Sequence, residues 1–182
     1  MFEIKKLSEK KDCYLISFKG KPIEEAYYNE ENVLYMQHFP EFNVDKIAGI
    51  KLGDFPDNFS LNVTIKKPYV CYLDYLMICR KGEKVTITLD GMLDLNNDDL
   101  KWLYWNPLLF IDTAIKLMKK KGIGISKTRK YYPKQPSLCF EFSFPIETTV
   151  GSALKICEQQ CSEIIRETEL LLMKKVEKKL KK

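Results

Sequence analysis

The stretch Leu138-Cys139-Phe140-Glu141-Phe142-Ser143-Phe144, with the run from Thr148 onward, decides how this chain reads. Leu138, Phe140, Phe142 and Phe144 alternate with Cys139, Glu141 and Ser143, the period-two pattern of a strand with one face on a core. The period then changes. Starting at Thr148 or Thr149, Val150, Leu154, Cys157, Cys161, Ile164, Thr168 and Leu171 recur in steps of four and three, as in an amphipathic helix. A strand that leads straight into a long helix with an apolar stripe predicts an α+β fold in which sheet and helix bury those faces together.

Working outward from this stretch, two more segments alternate cleanly. Phe59, Leu61, Val63 and Ile65 are separated by polar residues, as are Val85, Ile87 and Leu89. Segments 2–7, 13–19 and 33–39 read as weaker strands, and 70–79 as a central one that Lys81-Gly82-Glu83 turns into the next. Tyr27, Tyr28, Tyr35, Phe39, Phe42 and Phe55 crowd a first loop region, and 49–58 reads as a long loop. Asn106-Pro107 supplies an N-cap and a first helical residue, Leu108, Ile111, Ile115 and Met118 follow at helical spacing, and Gly122 suits the C-cap. The expectation is an antiparallel sheet of six or seven strands with helices on one face, including a long C-terminal helix that reaches toward Lys182.

At 182 residues the chain reads as a single domain, 1–182. Its 45% hydrophobic and 30% charged content argues against disorder. The start, Met1-Phe2-Glu3-Ile4-Lys5-Lys6, has no apolar leader, and no run approaches the apolar length of a membrane span. The six cysteines show no CxxC spacing. These features point to a cytoplasmic, non-membrane protein with reduced, mostly buried thiols.

Charge is unevenly placed. Residues 119–134 hold Lys119, Lys120, Lys121, Lys127, Arg129, Lys130 and Lys134 with no acid, a charge of +7 in a chain whose total is +5. Residues 174–182 set six lysines against Glu177, another +5, so the remaining body carries −7. A net acidic globule with two basic outgrowths presents a local field to a polyanion despite its modest total. Against this, lysine outnumbers arginine 27 to 3, a bias of AT-rich coding, and arginine is the better bidentate phosphate ligand. Lys119, Lys120 and Lys121 already have a structural role at a helix C-terminus. That leaves Lys127, Arg129, Lys130, Tyr131, Tyr132 and Lys134 as the candidate site, combining phosphate attraction with base stacking on tyrosine.

Other chemistry is less well supported. Gly122-Ile123-Gly124-Ile125-Ser126-Lys127 leaves a helix, whereas a phosphate-cradling glycine loop leads into one. Asp90, Asp94, Asp98 and Asp99 fit a turn and a helix start better than a cation loop. His38 is the one histidine, which rules out a multi-histidine metal site, and Cys157 and Cys161 fall on the apolar stripe. No catalytic residues, metal or cofactor are assigned. The expected function is a non-catalytic intracellular binding domain whose partner is single-stranded nucleic acid, another polyanion or an acidic protein. Two alternatives accompany it: a protein–protein or homo-oligomerisation module built on the C-terminal helix, and a binder of a small apolar ligand.

Overall fold

The computed structural model describes residues 2–7, 13–28, 34–36, 43–64, 73, 75–92, 107–124 and 137–180. Four strands, β1 (Phe2–Lys6), β2 (Cys13–Phe18), β3 (Lys21–Tyr28) and β4 (Leu34–Met36), form one antiparallel half. Four more, β5 (Phe59–Thr64), β6 (Tyr75–Lys81), β7 (Lys84–Met92) and β8 (Ser137–Phe144), form the other. A parallel β4–β5 pair joins the halves into one eight-stranded sheet in chain order. Helix α1 (Pro107–Lys121) falls between β7 and β8, and α2 (Val150–Leu180) follows β8.

The expected six or seven antiparallel strands are therefore corrected to eight, one pair of them parallel. The additional strand is β3, in a region read above as loop. Its alternation is masked by Pro22, by the Glu24-Glu25 pair and by a register shift at Ile16/Ser17. Lys19 (φ 50°) and Gly20 (φ 74°) form the two-residue turn into it, both with the positive φ that a type I′ hairpin requires. Because β4 and β5 are adjacent and parallel, the connection from Met36 to Phe59 must return the chain to the end of the sheet where β4 began. Parallel strands need a crossover, and this one buries Val44, Ile47, Ile50, Leu52 and Phe55 instead of looping through solvent.

One row of directly paired residues shows how the sheet makes its core. Ala26, Met36, Leu61, Ile78, Ile87 and Phe142 lie side by side across six strands, and all are buried. Helix α2 packs its stripe against this core with Val150, Leu154, Cys157, Cys161, Ile164, Thr168 and Leu172. Leu171, expected on the stripe, is 40% exposed. A single helix on a sheet keeps its natural 3.6-residue period, so over six turns the buried position drifts one residue past the strict heptad. Phe110, Ala114 and Met118 bring α1 into the same core.

The crossover also fixes where α2 begins. The N–H of Val150 donates to Ile50 O (2.8 Å) and that of Gly151 to Ala48 O (2.8 Å). Thr149 caps the helix, its Oγ1 accepting from Ser152 N–H at 3.3 Å. In return Leu52 N–H donates to Thr148 O (2.8 Å) and Gly53 N–H to Ile146 O (2.7 Å). On its other side the crossover is held by Arg80, whose guanidinium donates to the carbonyls of Gly53 and Phe55. The Asp57 carboxylate accepts from Gly82 N–H (2.6 Å) and Asn58 N–H (2.9 Å), and these bonds hold its pKa below the ordinary aspartate value.

Two stability predictions follow from this packing. A Cβ on Gly53 would stand 2.9 Å from Ile146 Cβ and 3.0 Å from its carbonyl oxygen, whereas one on Gly49 would meet nothing within 4 Å. Gly53→Ala is expected to cost about 1–3 kcal/mol, as overpacking does, and to lower Tm by several degrees, while Gly49→Ala leaves Tm nearly unchanged. Thr88 Oγ1 is buried without a hydrogen-bond partner. Thr88→Val removes that desolvated hydroxyl at similar volume and is expected to raise stability by about 1 kcal/mol in urea unfolding.

Candidate functional site

The site is built on the outer edge of β8. Helix α1 stops at Gly122, whose φ of 70° is open to glycine at little cost. Ile123 N–H bonds back to Met118 O (2.9 Å) and Gly122 N–H to Lys119 O (3.2 Å), a pairing that consumes carbonyls of the last turn. The chain then comes alongside β8, and Glu141 N–H donates to Gly124 O at 3.1 Å. The approach is so close that a Cβ on Gly124 would lie 2.6 Å from Glu141 O. Glycine is needed here for proximity to a strand, not for a phosphate.

An open cavity of about 500 Å³ lies at this junction. Phe142, Phe144 and Ile156 give it apolar walls, and Lys121, Glu141 and Gln160 give it polar ones. Lys121 reaches across to α2, with its Nζ 2.5 Å from Glu163 Oε1 and 2.8 Å from Glu167 Oε1. Those carboxylates raise the Lys121 pKa, and the ammonium lowers that of Glu163. Lys121 thus ties α1 to α2 and is taken out of the basic segment by its acidic partners. Lys119 and Lys120 in the same turn are exposed.

Lys127, Arg129, Lys130, Tyr131, Tyr132 and Lys134 lie outside the described residues, as do His38, Cys71, Asp94, Asp98 and Asp99. What is described is where the flanks of 125–136 are attached. Gly124 is bonded to the edge of β8, and Ser137 opens β8 opposite Met92. Both flanks therefore belong to one sheet edge. Sequence reading did not reveal this anchoring, because a single glycine bridge leaves no periodic pattern.

The expected buried thiols can be located individually. Cys13, Cys139, Cys157 and Cys161 are buried, Cys79 is half-buried, and none of these five forms a disulfide. Burial pushes the Cys157 thiol up to about 12, and that of Cys161 higher still, with the Cys157 and Cys139 thiols adding to the effect. Cys79 is also raised by burial, a shift that Lys81 opposes. Among the described residues no group of three or more His, Cys, Asp or Glu side chains is placed to hold a metal ion, and no helix is long and apolar enough to cross a membrane.

A reagent must reach the thiol and meet it as thiolate, so burial of four thiols predicts an order of labelling. In native protein a maleimide reagent should reach Cys79 first among the five, and the four buried thiols only after denaturant is added. A disulfide ladder on a non-reducing gel of fresh protein would contradict the reduced state. Comparison with known protein families, curated proteins and solved structures finds no match for this chain.

Proposed function

We propose that this chain is a binding domain and not an enzyme, and that it holds single-stranded nucleic acid along Lys127, Arg129, Lys130, Tyr131, Tyr132 and Lys134. The carrying observation is that Lys121 is neutralised by Glu163 and Glu167 and so separated from the remaining charges. Those charges lie between two flanks fixed to the β8 edge. Cations supplied by a segment anchored at both ends lose less conformational freedom on binding than cations on a free tail. Tyrosine rings among them suit bases of any sequence.

Four phosphate contacts give an expected slope of about −3 for log affinity against log salt, at roughly 0.7 per contact on a single strand. Tyr131→Ala and Tyr132→Ala should each weaken binding by about 1–3 kcal/mol per stacked base and leave that slope unchanged. Replacing the four basic residues with Gln should flatten it. Filter binding to mixed single-stranded DNA and RNA at low salt checks all three. Binding that is absent, or indifferent to these six positions, would reject the proposal.

A second reading is self-association through α2. Its support is that Leu170 and Met173 are 46% and 52% exposed on a helix whose opposite side is buried.

A further inference from the structure

We propose, building on the reading of α2 as a self-association element, that two copies pair antiparallel along the outer side of α2, about a two-fold axis level with Leu171 and Leu172. The surface comes from helix geometry. Leu170 stands two residues from buried Thr168 and two from buried Leu172, about 200° round the helix from each. Met173 is three residues further along and shares its outward side, as does exposed Arg166 four residues before. Leu172 is the last buried residue among those whose burial is described, and Met173, Lys174 and Lys175 after it are exposed.

Charge selects the occupant and its direction. Residues 163–169 carry Glu163, Glu167 and Glu169 against Arg166, a charge of −2 that the Lys121 ammonium bridged to Glu163 and Glu167 reduces by one, so the surface there stays acidic. Residues 174–180 carry four lysines against Glu177, a charge of +3. In a parallel pair, level positions are identical, and +3 would lie beside +3 along the whole basic end. In an antiparallel pair centred between Leu171 and Leu172, residues 163–169 of each copy lie level with 174–180 of the other. Leu170 then meets Met173 of the second copy, and Glu169 lies level with its Lys174, with Glu167 two residues further along. One chain thus carries both halves of a complementary surface, as a two-fold interface requires. Self-repulsion in the parallel arrangement and attraction in the antiparallel one both act through exposed charges and weaken with salt.

The test is sedimentation equilibrium of the nuclease-treated full chain, which excludes bridging by nucleic acid. It is run from about 5 to 200 μM in low and high salt, the range in which a small exposed seam is populated. The expected result is a monomer–dimer equilibrium weakened several-fold by high salt. Leu170→Glu and Met173→Glu should each weaken it at least tenfold with Tm unchanged, since neither side chain is buried. Carbodiimide cross-linking of mixed ¹⁴N and ¹⁵N protein should join Lys174 of one copy to Glu167 or Glu169 of the other. A monomer at every concentration would overturn self-association itself. A dimer that survives both substitutions, or that cross-links without the Lys174–glutamate pairs, would overturn this seam and register while leaving self-association standing.

Discussion

The first turn of a helix carries backbone N–H groups with no partner in the helix, and in α2 that turn packs Val150 and Ala153 into the core while Ser152 stays exposed. Each of those amides must find an acceptor or the burial is unfavourable. Ile50 and Ala48 accept from Val150 and Gly151, and Thr149 accepts from Ser152. Much else follows from this requirement. The β4–β5 crossover lies against the helix start, and a Cβ on Gly151 would stand 3.1 Å from Ala48 O, a tight approach that favours glycine there. It also means that this helix N-terminus offers nothing to an anion, since its donors are already engaged.

The basic features lie elsewhere, and the fold keeps them apart. Lys121 is absorbed by two glutamates of α2, and Arg80 is spent on carbonyls of the crossover. Lys174, Lys175, Lys178 and Lys179 belong to α2, whose last described buried residue is Leu172. The segment 125–136 is attached at the β8 edge by Gly124 and Ser137. The other sheet edge, β1, exposes Glu3, Lys5 and Lys6, charges that discourage another strand from pairing there.

Strands with strict alternation and the two helices were legible because each buries one face of a regular element, and regular burial leaves a period. β5, β7 and β8 are examples, as is α2 from Thr149 onward. β3 was not legible, because a register shift beside Pro22 breaks the alternation that would have marked it. The crossover was hidden for a different reason: Val44, Ile47, Ile50, Leu52 and Phe55 are buried without a repeating spacing, so only the tertiary fold reveals them as core. Leu171 and Leu172 show the limit within a recognised helix, where one residue of drift decides which leucine is inside. The candidate residues at 127–134 are chosen on composition alone and lie outside the described residues, and the anchoring of their flanks rests on one backbone bridge that no sequence pattern encodes.

The β4–β5 crossover also constrains the order in which the molecule can assemble. Ala48 and Ile50 wait for Val150 and Gly151, which leave the ribosome about a hundred residues later. At synthesis rates of about 5–20 residues per second, the crossover remains without those partners for several seconds. Over that interval the first four strands can pair among themselves, but the apolar residues between β4 and β5 lack the helix that covers them. Nascent chains of this protein therefore pass through a stage with an exposed middle, which is when a chaperone would have most to hold.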